Sequence, residues 1–148
     1  MNVFKAGFAL ALGLVVVALL PIGVHDLRLS QARGQTVPNR IGISGALVGS
    51  DGSPVAGKTV YIFVVRDNKL VLNIKEGRLA NPSAETDANG RFTVEAERNY
   101  VGGGEFTVGA RNGLGNLATL RRDGSNVSLT FAEGDRTGRF DVGRVTLE

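Results

Sequence analysis

An all-β fold is what this sequence predicts: a seven-stranded antiparallel β-sandwich preceded by an N-terminal hydrophobic helix. Three observations lead there. From Arg40 onward, short apolar runs alternate in and out with a period of two, the pattern of strands with one buried face. Turn formers separate the runs at short intervals, and glycine is abundant at 21 of 148 residues. No stretch after residue 24 shows the 3.6-residue repeat of a helix that buries one face.

The first 24 residues stand apart. Lys5 precedes the uncharged run from Ala6 to Val24, which is hydrophobic on every side and about long enough to cross a bilayer as a helix. Residues 1–24 are therefore a cleaved signal peptide or a retained membrane anchor, with Pro21 marking the end of the apolar stretch. Residues 25–39 have few apolar anchors and read as a flexible tether, leaving 40–148 as the folded domain. On either reading the domain is exported. It is membrane-anchored and facing the periplasm or cell exterior, or secreted if the leader is cut, and membrane contact is expected only through the N-terminal segment.

The first strand, near 40–48, buries Ile41, Ile43 and Leu47, with Gly42, Ser44 and Ala46 on its other face. Asp51-Gly52 and Pro54 end it, because Asp-Gly accepts positive φ and proline removes a ladder donor. The second, near 58–65, sets Val60, Ile62 and Val64 against Tyr61, Phe63 and Val65. A strand apolar on both faces belongs in the middle of its sheet or under a cover. Arg66 to Lys69 is a hairpin turn into a third strand, 70–74, after which Lys75 to Ala84 reads as irregular, broken by Gly77, Asn81 and Pro82. The turn Thr86-Asp87-Ala88-Asn89-Gly90 opens a fourth strand, 91–97, with Phe92, Val94 and Ala96 inward. Gly102 to Gly104 is a loose connection to a fifth, 104–111, which turns Phe106, Val108 and Ala110 inward.

Residues 112–125 are poor in strand formers and read as a long loop, with Arg121-Arg122 as solvated turn residues. A sixth strand, 126–132, buries Leu129 and Phe131. The last, 139–147, contradicts its own alternation, because Phe140 and Val142 share one parity while Val145 and Leu147 share the other. One extra residue restores the inward face, and Gly143 accommodates it most cheaply, which predicts a β-bulge at or beside Gly143.

Composition excludes several classes of function. With no cysteine there is no disulfide, thiolate metal site or cysteine nucleophile. The only histidine, His25, lies in the tether, which removes Ser–His–Asp chemistry and histidine-rich metal sites from the domain. The net charge of +3 is 17 basic against 14 acidic residues; without Lys5, Asp26 and Arg28 it becomes 15 against 13. Such a balanced chain, whose one adjacent basic pair is followed by Asp123, lacks the clustered basic face of a nucleic-acid binder. No cofactor is expected.

Two segments together carry a family resemblance. Ile43-Ser44-Gly45, followed by Asp51-Gly52-Ser53-Pro54-Val55-Ala56-Gly57-Lys58-Thr59-Val60, is one. Glu85-Thr86-Asp87-Ala88-Asn89-Gly90-Arg91-Phe92-Thr93-Val94 is the other. The pattern resembles the carboxypeptidase regulatory-like domains, small prealbumin-type (transthyretin-like) sandwiches of exported bacterial proteins. The resemblance implies a non-catalytic module for folding, adhesion or partner binding. Related collagen-adhesin B-type repeats form a Lys–Asn cross-link, but here the first strand has no lysine and the last no asparagine. Hydroxyisourate hydrolases and intradiol dioxygenases of related fold depend on histidines that this domain lacks.

Among candidate sites, Asp87, Asn89 and Gly90 suit an Asx-type turn better than a calcium loop, since Arg98 stands where the bidentate glutamate is needed. Glu95 and Glu97 alternate with inward residues and belong to the solvent face rather than to a glycosidase pair. Asn126-Val127-Ser128 has the spacing of a glycosylation acceptor but opens a strand. Tyr61 and Phe63, on the outer side of the second strand, are the candidate ligand-binding pair, as a patch for sugar stacking or protein docking. The alternative is that 75–85 or 112–125 covers them. The functional expectation is a non-enzymatic exported module contacting an envelope protein or glycan. A small carboxylate-dependent hydrolase and a purely structural spacer are the competing classes.

Overall fold

The computed structural model describes residues 39–131 and 138–148. The predicted leader helix and nearly all of the tether lie outside the described residues. Among the described residues no helix is long and apolar enough to cross a membrane.

Two main sheets enclose one apolar core. Strand β1, Arg40–Val48, is followed by β2, Thr59–Arg66, and the two-residue β3, Lys69–Leu70. Then come β4, Ile74–Lys75, β5, Arg78–Leu79, and β6, Ser83–Glu85. Strand β7, Arg91–Glu97, runs into a one-turn helix, Arg98–Val101, and β8 is Glu105–Arg111. The chain ends with β9, Leu117–Thr119, β10, Arg121–Arg122, β11, Ser125–Asn126, β12, Leu129–Thr130, and β13, Arg139–Thr146. One sheet has the order β11-β10-β13-β1-β7; the other is β12-β8-β2-β3, with β6 also on β2 and β9 on β8. Strands β4 and β5 form a hairpin of their own.

The inward residues behave as their alternation predicts. Ile41, Ile43, Leu47, Val60, Ile62, Val64, Phe92, Val94, Phe106, Val108 and Val142 are all buried in the core, while Leu129, Phe131 and Phe140 pack against it half-buried. Phe106, Phe131 and Phe140 form a ring cluster; Phe140 meets the other two edge-on, each at 5.3 Å between centroids. Strand β2 is central, as its two apolar faces require, with β8 on one side and β3 and β6 on the other.

Five expectations are corrected. The described residues hold 13 strands rather than seven, because the stretches read as loops contain two- and three-residue ladders. In 75–84 and 112–125 the short hairpins close on Glu76-Gly77 and Asp123-Gly124, all at positive φ, as tight two-residue hairpin turns require. Arg121 and Arg122 are consequently strand residues. The predicted strand 126–132 is interrupted at Val127, whose N–H donates to Leu120 O (2.9 Å) and whose carbonyl accepts from the Thr107 hydroxyl. The sandwich is not wholly antiparallel, since β1 pairs parallel with β13 and antiparallel with β7. A parallel neighbour needs a long crossover, and here the whole intervening chain supplies it. Finally, the residues after β7 form one helical turn where none was predicted, with Gly102 N–H closing on Arg98 O (3.2 Å).

The bulge is where the alternation requires it. Ser44 pairs with Asp141 and Ala46 with Arg144, so β13 spends one residue more than β1 over the same span. Gly143 takes φ +68° and donates its N–H to Asp141 Oδ1 at 2.9 Å. Val142 and Val145 thus both reach the core, fully buried.

The two segments that carried the resemblance meet in space. Leu47 N–H donates to Gly90 O (2.8 Å) and Val55 N–H to Leu47 O (3.0 Å). The Thr86 hydroxyl donates to Val55 O (2.7 Å) and accepts from Lys58 N–H (2.9 Å). Asp87 Oδ1 accepts from Asn89 and Arg91 N–H groups at 2.8 and 2.9 Å, the Asx turn expected there.

Candidate functional site

Tyr61 and Phe63 lie where the alternation puts them, on the outer face of the β2–β8 ladder, 6.0 Å apart between ring centroids. Phe63 has no exposed surface and Tyr61 is half-buried, so Tyr61 alone of the two presents area to a ligand. Phe63 lies against Gly109 of the neighbouring strand, where an added Cβ would come within 2.9 Å of the ring. Further along the same face a cavity of about 300 Å³ opens beside Val65, Thr107 and Val127. Its rim includes Ser128, whose hydroxyl donates to Glu105 Oε1 at 2.8 Å.

A second depression sits on the outer face of the other sheet, at the bulge, with a volume of about 360 Å³. Its shape follows from register. The three outward residues in the middle of β1, Gly42, Ser44 and Ala46, are small, and each is flanked by a longer polar residue on β7 and another on β13. Glu95 and Arg139 flank Gly42, Thr93 and Asp141 flank Ser44, and Arg91 and Arg144 flank Ala46. The central strand is therefore the floor of a trough, and its neighbours are the walls.

The three rows differ in charge. In the first, Glu95 is bridged by Arg139 (3.7 Å) and by Arg40 (3.3 Å), and the end of the Arg139 side chain lies over Gly42, where a Cβ would push it aside. In the second, Asp141 is held by the bulge N–H, and the Ser44 hydroxyl reaches Phe140 O at 3.5 Å. The third row is two guanidinium groups with no carboxylate between them. Arg144 donates to Gly52 O at 3.3 Å, and Arg91 has no ion pair among the described residues. The loop that Arg144 touches is itself fixed: the Ser53 hydroxyl and N–H both donate to Asp51, and the hydroxyl above all holds that carboxyl below its ordinary pKa.

The trough can offer hydrogen bonds and positive charge to an extended polar ligand. Among the described residues no cluster of histidine, cysteine, aspartate or glutamate could hold a metal ion. Sequence reasoning missed this site because Gly42, Ser44 and Ala46 read only as a solvent face. The signal present was a row of small outward residues on one strand. The arginines that flank it came into view only with the pairing of β1 to β13, nearly the whole domain away in sequence.

No protein-family model matches the chain, and no curated protein sequence matches it. Among solved structures, a streptococcal ancillary pilin is 13% identical at a TM-score of 0.43, over 76% of this chain and 34% of the pilin. BcpA, the major pilin subunit of Bacillus cereus, is 10% identical at 0.40, over 75% and 31%. A 9R-lipoxygenase from Cyanothece is 17% identical at 0.42, over 77% and 17%. The chain thus spans about a third or less of each of these proteins, and similarity at this level carries no argument about activity. The β architecture rests on the strand pairing of this chain.

Proposed function

We propose that this chain is a non-enzymatic contact module of the carboxypeptidase regulatory-like type, exported to the bacterial envelope, whose trough takes an acidic glycan or an acidic protein segment. The single observation behind this reading is the Arg91–Ala46–Arg144 row: two solvent-facing cations across a small floor residue, with no acid between them. Guanidinium groups in this position offer paired N–H donors to carboxylate or phosphate, and the flat floor lets an extended chain approach. The polar positions elsewhere build turns, and the domain has no histidine to move protons at neutral pH.

The test is binding of the full chain to a uronic-acid polymer and to a neutral glucan. The acidic polymer is expected to bind and the neutral one not, with affinity falling as ionic strength rises. Replacing Arg91 and Arg144 together by alanine should weaken binding about tenfold or more, the ~1.4 kcal/mol or more of a charge-assisted hydrogen bond. Equal binding of both polymers, or an unaffected double variant, would overturn the proposal.

A further inference from the structure

Strand β7 is an edge. Among the described residues it pairs only with β1. Which of its backbone groups are used follows from the bonds at its two ends. Gly90 O accepts from Leu47 N–H, and Arg98 N–H donates to Asn39 O, so even-numbered residues face β1. Arg91 faces the other way, with its N–H donating to Asp87 Oδ1 and its carbonyl accepting from Asp87 N–H. By strand alternation, Thr93 and Glu95 direct their N–H and C=O groups off the sheet. Their side chains, like those of Arg91 and Glu97, are exposed.

We infer that this edge pairs antiparallel with β7 of a second copy of the chain about a twofold axis at Val94. That register sets Thr93 opposite Glu95 of the second copy, and the reverse, so that the free backbone groups of both residues are satisfied on both chains. It also sets Arg91 opposite Glu97 twice, an attractive pair at each end that uses only part of the guanidinium's five N–H donors and leaves the others to the trough. An axis at Glu95 would oppose that residue to itself. One at Thr93 would rely on Arg91, whose backbone groups are already engaged by Asp87. A parallel in-register stack would place Arg91, Glu95 and Glu97 each beside its own copy, so the charge pattern opposes open-ended stacking and admits the closed pair. The pairing doubles the five-stranded sheet and puts the two troughs on one continuous outer face.

The chain has no cysteine, so introduced thiols report without background. In the full-length protein, the double variant Thr93→Cys with Glu95→Cys is expected to give a covalent dimer on oxidation, since directly opposed residues on paired strands are within disulfide reach. Adding Glu97→Arg should lower the cross-linked fraction about tenfold by opposing like charges at both ends, and adding Arg91→Glu as well should restore it. A monomer only, a ladder of higher multimers, a cross-link to a different protein, or a dimer indifferent to both charge changes would each overturn the inference.

Discussion

Asn81 does at the residue scale what no apolar side chain could. It is buried, and the two N–H bonds of its amide are shared among Ile62 O and Val71 O, each at 3.1 Å, and the Tyr100 hydroxyl oxygen at 2.7 Å. Its carbonyl accepts from Asn73 N–H at 2.8 Å. Four separate stretches are thereby tied together, and the backbone groups they bury are satisfied. Replacing Asn81 with alanine strands those groups and should cost about 1–3 kcal/mol, read as a fall in the urea midpoint. Tyr100 belongs to the same cluster. Burial pushes its phenol above the ordinary value of 10.0, partly offset by the bond from Asn81. A raised folded pKa means that the contribution of the neutral phenol is complete below the unfolded value. It is lost as pH climbs through the folded one. Stability should therefore fall on the alkaline side of pH 10.0, and Tyr100→Phe should flatten that limb of a pH–stability profile. In the sequence Asn81 read only as a breaker, because a side chain that satisfies distant backbone groups leaves no periodic trace.

At the scale of elements, two glycines show different reasons for the same residue. Gly143 sits at φ +68° with open space around it, so a side chain there meets only the backbone preference. Gly143→Ala should cost about 1–2 kcal/mol, the penalty of the left-handed conformation. Gly90 also has positive φ, but a Cβ there would come within 2.4 Å of Leu47 O, where backbone must move. Gly90→Ala should therefore lose clearly more stability than Gly143→Ala in the same urea titration, and equal losses would contradict the packing described for the Leu47–Gly90 crossing. Deleting Gly143 altogether would turn Val145 outward and should abolish cooperative unfolding. The bulge was legible because a parity break inside one strand is local information. The ladders of 74–79 and 117–126 were not, since two-residue strands are too short to show a period, although Glu76-Gly77 and Asp123-Gly124 supplied the turn signals.

For the whole molecule, the alternation of β1, β2, β7 and β8 was enough to give the sandwich and most of its core, though not Val101, Leu120 or Val127. It could not give the neighbour of β1, because inward parity says which face is buried and nothing about which strand lies alongside. That missing link is also what hid the trough: Arg91, Ala46 and Arg144 form a row only once β1 lies between β7 and β13. Tyr61 and Phe63 alternate with the core residues of β2, but the burial of Phe63 against Gly109 depends on the β2–β8 register. Both sheets therefore hang on strands bonded along both sides. Amide hydrogen exchange on β1 measures this most directly. Ile41, Ile43 and Leu47, whose N–H groups face β7, and Gly42, whose N–H donates to Gly138 O at the start of the closing strand, should exchange among the slowest amides of the chain, far behind those of the exposed turn at 113–116. Exchange of the β1 amides as fast as that turn would contradict the placement of the opening strand between β7 and the closing strand.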